Sequence, residues 1–448
     1  VRSRGLGDVY KRQLPLSDEQ LTGIISRLDI PSLTEATIRQ VVAVTTEAEK
    51  ASGEKYMHLE LGNPGLPSQQ IGVEAECEAL RNGIANKYPP VMGTTALKNA
   101  ASRFVKAFLD VDIPGNCIVP SVGSMQGSFS LMLLLGRRDP AKDTMLYLDP
   151  GFAPQHLQAQ ILGLKQTSFD IYDYRGEALA EKLESILAKG NITGILYSNP
   201  NNPAWTNLTP DELASIGRLA TKYDAIVIED LAYMGMDFRH DCGTPFEEPY
   251  VPTIAKYTDN YVLLLSASKI FSYAGERIAL VCMSPEVARR TDPGLMPVFR
   301  MRTFADAYIF GVVYCVSSGV THSVQCAMAA MLEAAADGRI NFVHDCEEYR
   351  RRCARARQLF IDAGFKVVYA DDAGTPVSDG FFFTATYGDM DSETLQRALM
   401  RHGISTISLP GTGSTRQGLR VCVSKLADDK DFETLAERLR AFTDEQQH

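Results

Sequence analysis

Between residues 118 and 283 the chain keeps repeating one unit, and this repetition limits its possible folds more than any other feature. Short apolar runs such as Met145-Leu146-Tyr147-Leu148, Gly194-Ile195-Leu196-Tyr197, Ala225-Ile226-Val227-Ile228 and Tyr261-Val262-Leu263-Leu264-Leu265 alternate with longer helix-forming stretches. Runs without polar alternation read as strands buried on both faces, and the stretches between them read as crossover helices. A strand–helix repeat of this kind predicts an α/β fold with a doubly wound, mainly parallel sheet. Two further parts flank it. Residues 16–55 read as helices that pack on something else, and strands near 366–369, 380–386 and 419–423 with a helix over 392–402 read as a smaller α+β module. The expected division is a leader over 1–15, an N-terminal segment of the small domain over 16–60, a large domain over 61–325 and the C-terminal small domain over 326–448.

The leader is set aside because it carries no initiator methionine and its run RGLGDVYKRQ resembles translated adapter sequence, so it is read as non-native or disordered. At 448 residues the chain can bury a large core. A net charge of -10 argues against nucleic acid or an anionic membrane as partner. No apolar stretch is long enough for a transmembrane helix. The nine cysteines form no CxxC pair and no cluster at metal-ligand spacing, so they read as thiols of a reducing compartment, and the expected location is cytoplasmic with no bound metal.

The chemistry concentrates in Ser266-Ala267-Ser268-Lys269 and in Arg277, which follow an apolar run where a strand leaves the sheet. A desolvated lysine beside other cations becomes an amine nucleophile. Serines and an arginine next to it can bind an anion such as a phosphate. An amine beside an anion site suits a phosphorylated aldehyde, with pyridoxal 5′-phosphate (PLP) the obvious candidate.

With that spacing the stretch resembles the lysine signature of fold-type I PLP enzymes, the class I/II aminotransferase family, and further motifs of the family follow in order from Gly62 to Arg420. The resemblance implies a large PLP-binding domain and the following roles. Lys269 holds the cofactor and then moves a proton between Cα and C4′. Gly62, in Leu59-Glu60-Leu61-Gly62-Asn63-Pro64, lets substrate approach the backbone. Tyr88 reaches the cofactor phosphate of a neighbouring subunit, which implies a homodimer with shared sites. Gly123, Ser124 and Met125 cradle the phosphate with Ser266, Ser268 and Arg277. Met125 stands where a polar residue is commoner, so its hydrogen bond is either missing or supplied by Gln126. Phe152 stacks on the pyridine ring. Asn202 and Tyr233 bond its phenolic oxygen, Asp230 keeps its nitrogen protonated, and Arg420 clamps the substrate carboxylate.

Three rivals or departures accompany these. Glu229 competes with Asp230, but strand alternation points it to the other face. Arg416 competes with Arg420. Ala204-Trp205 stands where the family has Thr-Gly, which marks the pocket wall as unusual. The implied activity is an aminotransferase working on an amino acid and a 2-oxo acid by a ping-pong mechanism. A β- or γ-eliminating C–S lyase would use the same residues. A non-catalytic PLP-binding regulator is a third reading, disfavoured by the acidic charge and the full lysine, aspartate and arginine set. Arg300 and Arg302 match no distal-carboxylate arginine, and Trp205 with the Phe/Tyr-rich residues 304–314 is compatible with an apolar or aromatic donor.

Overall fold

The computed structural model describes residues 15–447, so all but the last residue of the expected leader lies outside the described residues. Seven strands form the central sheet in the order Ile118–Ser121, Ala279–Met283, Tyr261–Ser266, Ile226–Asp230, Ile192–Ser198, Thr144–Asp149, Lys165–Asp170. All are parallel except Ala279–Met283, which runs against both of its neighbours. The apolar runs become strands because every residue can be covered. All six residues of Tyr261–Ser266 and all five of Ile226–Asp230 are buried. Pro120 is accommodated because its strand is the edge strand, where one row of amides needs no ladder partner.

The C-terminal ends of the strands meet along one edge. Ser198 pairs with Asp230, Asp230 with Leu264, and Ala279 with both Ser266 and Ser121. The turns that begin at Asn199, Leu231, Ala267 and Val122 therefore all leave the sheet side by side.

The small module is built on a four-stranded antiparallel sheet, ordered Ile407–Ser408, Leu419–Cys422, Phe382–Thr386, Lys366–Val367. Helices Glu347–Asp362 and Asp429–Gln446 pack on it through Phe360, Leu435 and Phe442. Helices Asp18–Arg27 and Ile38–Ser52 each start with a complete capping box and bury Ile24, Val41 and Val44 against Met400 and Ile407. The two chain ends thus share one core. The expected boundary between 325 and 326 falls inside helix His322–Ala336. That helix packs on Gln70–Arg81 and Thr95–Leu109 within the large core, because its buried face continues through Val324, Met328, Met331 and Leu332.

Two buried clusters join the modules. Asp372 of the small module accepts from Arg175 Nη1 (3.0 Å), Arg239 Nη2 (2.7 Å) and the Asn207 amide (3.1 Å). Tyr369 donates to Asp170 Oδ2 (2.7 Å). The segment leading to Gly62 belongs mechanically to the small module. The Cys422 amide donates to Leu59 O (2.8 Å) and the Ser424 hydroxyl to Asn63 O (2.5 Å). Among the described residues, no helix is long and apolar enough to cross a membrane.

Candidate functional site

Lys269 stands in the short turn Ala267–Ile270 that follows strand Tyr261–Ser266, with the Ser266 hydroxyl accepting from the Ser268 amide (3.2 Å). The side chain is half-buried and its ammonium donates to the carbonyl of Gly62. Its Nζ lies 5.4 Å from the centroid of the Phe381 ring. Burial is the main cause that holds its pKa down at about 8; Arg420 and Arg277 lower it further, and Cys422 opposes them.

Beside it, helix Gly123–Arg138 begins at Val122 with no side-chain cap, so its first amides are free. Gly123 has φ 68°, and a Cβ there would lie 2.4 Å from Arg277 Nη2, so the guanidinium packs directly on that glycine. The Ser124 hydroxyl is buried and has no hydrogen-bond partner. Free helix amides, an orphaned hydroxyl and a guanidinium form a cradle suited to a phosphate dianion. Gln126 does not stand in for Met125. Its Oε1 accepts from the Val122 amide (2.7 Å) and its Nε2 donates to Ser317 (3.0 Å), so both ends are engaged elsewhere. The Met125 carbonyl accepts from Gln158 (2.8 Å), which anchors the turn.

Asp230 ends its strand buried, and accepts from Gln155 Nε2 (3.1 Å) and the Ala232 amide (3.1 Å). Desolvation outweighs these bonds and raises its pKa to about 6. Glu229 points to the opposite face, where it accepts from Thr253 (2.5 Å), the Ile254 amide (3.2 Å) and Tyr197 (3.2 Å). Tyr233 is buried against Trp205, Phe381 and Phe382, and burial raises its hydroxyl well above the ordinary range.

Arg420 is 2% exposed, packed with its guanidinium 4.6 Å from the Phe382 ring centroid. Nη1 donates to Asn202 Oδ1 (3.3 Å), Nη2 to Glu60 O, and Nε is buried without a partner. Arg416 instead pairs with Asp170 (3.3 Å) and Asp173 (2.5 Å), so its charge is neutralised away from Lys269. Phe152 immediately precedes helix Ala153–Ile161 and is half-buried. Tyr88 stands apart, 95% exposed.

Trp205 is no wall of an open pocket. It is fully buried behind Tyr233 and Phe382 because the space over Gly380 admits the indole. Sequence reasoning missed Gln155, Phe381, Phe382 and Cys422. Phe382 had a signal, since it lies opposite Cys422 in a strand pair whose next same-face pair is Thr384 with Arg420. Gln155 had none, being one polar residue on a helix.

The sequence profile described as "Aminotransferase class I and II" matches residues 54–439, and the chain belongs to this family. An asparagine–oxo-acid transaminase of Streptococcus mutans is 25% identical over 255 residues, which cover 56% of this chain and 63% of that protein. Nicotianamine aminotransferase 1 of Oryza sativa subsp. japonica is 29% identical over 196 residues, 43% of this chain and 37% of that protein. The matched stretches thus span less than two thirds of either relative. A double mutant of Thermus thermophilus aspartate aminotransferase superposes with a TM-score of 0.72 at 18% identity, covering 91% of this chain and 96% of that one. The fold is that of fold-type I aspartate aminotransferases.

Proposed function

We propose that the protein is a PLP-dependent aminotransferase that moves an amino group from an amino acid to a 2-oxo acid in two half-reactions. One observation carries the reading: a lysine amine with a lowered pKa, a buried carboxylate and an orphaned hydroxyl at an uncapped helix start all open onto one edge of the sheet. The donor set fits PLP, which when bound supplies an electron sink for the bond broken at the substrate Cα.

In this reading Gly123, Ser124, Met125, Ser266, Ser268 and Arg277 hold the phosphate, and Phe152 covers the ring. Asp230 is dry enough to be partly neutral near pH 6, and a cation against it would draw it to the charged form and stay protonated in return. Asn202 has its Oδ1 engaged by Arg420, so it is the amide NH2 that is left to donate, alongside Tyr233, to a phenolic oxygen. Lys269, near neutrality a mixture of amine and ammonium, would take up a proton at its Nζ from the substrate Cα and give it back there, as a general base and acid. Arg420 offers its unpartnered Nε to the substrate carboxylate, and Gly62 borders the same space.

A homodimer with shared sites is part of the proposal. It is supported by the exposure of Tyr88 (95%), together with exposed Phe310, Tyr314 and Val316. Nine free thiols support a reducing, cytoplasmic location. No observation favours the lyase or regulator readings.

The test is a visible spectrum of the purified protein with PLP. A visible band that bleaches when an amino acid mixture is added and returns with a 2-oxo acid supports transamination. Release of pyruvate with ammonia or a thiol would move the assignment to the lyase. No visible band, with Lys269→Ala unchanged from wild type, would overturn the site.

A further inference from the structure

Trp205, the only tryptophan of the chain, takes no direct part in the chemistry proposed above. Three observations give it a task. First, its backbone sits at φ 64°, a region that bulky residues rarely occupy and that is retained when the surroundings enforce it. The enforcing contacts are present: the Trp205 amide donates to Asn201 O (3.0 Å) and the Ala204 amide to Asn201 Oδ1 (2.9 Å). Second, the fully buried indole touches both modules. Its ring lies edge-on to Tyr233 of the large module (5.3 Å between centroids) and to Phe382 of the small module (5.9 Å). Third, the small module is hollowed to receive it. A Cβ on Gly380 would fall 2.0 Å from the indole, so no larger residue fits there without displacing one partner.

We infer that Trp205 is a positioning residue, the seat on which the small module docks, which sets how far Arg420 stands from Lys269 and Tyr233. The route is short. Phe382 rests on the indole and the Arg420 guanidinium rests on Phe382, at 4.6 Å. Arg420 comes from the small module, whereas Lys269, Tyr233 and Asn202 come from the large one. A change in the height of the seat therefore moves the carboxylate clamp relative to the amine while leaving the phosphate cradle, built wholly on the large module, in place. The inference rests on the assignment of Arg420 as the carboxylate clamp.

The experiment uses PLP-loaded protein and 3-phenylpropionate, an unreactive carboxylate, as the probe, with its dissociation constant read from the shift of the visible band. Trp205→Leu is expected to weaken the probe and raise KM about tenfold, equivalent to about 1.4 kcal/mol. PLP affinity should stay within about threefold, since the phosphate cradle is not moved, and any fall in kcat through the Tyr233 contact should be smaller than the rise in KM. Trp205→Phe, which keeps a flat ring, should recover most of the loss. Gly380→Ala should reproduce the loss in the wild type and add little to Trp205→Leu, because the clashing atoms are gone. A folded Trp205→Leu protein with unchanged probe affinity, or one that loses kcat with KM unaltered, overturns the inference. Arg420→Lys separates the two failures. If it too leaves the probe unaffected, the clamp assignment falls and takes this inference with it; if only Arg420→Lys weakens the probe, the clamp stands and the seat does not.

Discussion

The guanidinium of Arg420 donates to Oδ1 of Asn202 over 3.3 Å, joining residues 218 positions apart that belong to different modules. With Glu60 O on Nη2 and Phe382 beneath, the arginine's hydrogen bonds go to neutral groups only, and its Nε has no partner. Burial lowers its pKa and the nearby Glu60 offsets this only in part, so a carboxylate arriving there meets a cation with no hydrogen-bonded counter-ion. Lysine keeps the charge and loses the planar fork. Arg420→Lys should lower kcat/KM by about 100-fold, chiefly through KM, as steady-state kinetics on the amino donor would register.

The amine of Lys269 should respond to pH near neutrality. Its pKa in the folded protein, about 8, lies below that of the unfolded chain, 10.5. Between these values the unfolded chain binds the extra proton, so this group's contribution to stability rises with pH across the window and is unfavourable below it. Two outcomes follow for the PLP-free protein. Acylation of Lys269, followed by mass spectrometry, should increase steeply through about pH 8, and Lys269→Met should raise the melting temperature at pH 7 by a degree or more. Acylation that rises only above pH 10 would contradict the lowered pKa.

Asp230 carries the opposite sign. Burial raises its carboxyl from 3.8 to about 6, so its contribution to stability falls as pH rises across that interval and stays unfavourable above it. Asp230→Asn should therefore be at least as stable as wild type at pH 7 when free of PLP, yet lose about 100-fold or more in turnover because no carboxylate faces the ring nitrogen. Thermal melts and turnover measured on one preparation check both halves.

The cradle can be probed without turnover. Gly123→Ala places a methyl 2.4 Å from Arg277 Nη2 at a φ of 68°, and should weaken PLP binding more than Ser124→Ala does. Losses of about 100-fold and about tenfold, respectively, are expected by equilibrium dialysis, in line with a displaced guanidinium against one missing neutral hydrogen bond.

The parallel core was legible because its strands are uniformly apolar, and period and length alone distinguish them from the intervening helices. The opposite orientation of Ala279–Met283 was not, since strand direction depends on the connection, and here Phe271–Ile278 returns as a loop without a crossover helix. Lys269, Asp230 and Asn202 stood out because each ends or closely follows a legible strand. Arg420 could only be weighed against Arg416, four residues earlier; the pairing of Arg416 with Asp170 and Asp173 is a tertiary fact with no local trace. Trp205 was visible as a departure, but its burial depends on Gly380, far along the chain. The segment 295–314 resisted reading because short helical pieces surround a π-helical turn over Ala307–Val313, where the i, i+3, i+4 periodicity breaks.

Ala279 is hydrogen-bonded in register to Ser121 on one side and to Ser266 on the other. The two arms of the anion cradle, at Gly123 and at Ser266–Ser268, are therefore spaced by one intervening strand, roughly 10 Å across two strand spacings. A slip of one residue in either pairing would pull the arms out of step and exchange the two covered faces of the edge strand. A dianion held between the arms as proposed would act as a clasp on the sheet's margin. Amide exchange along Ile118–Ser121 should thus be faster in PLP-free protein than in PLP-loaded protein, well before the parallel centre of the sheet loosens.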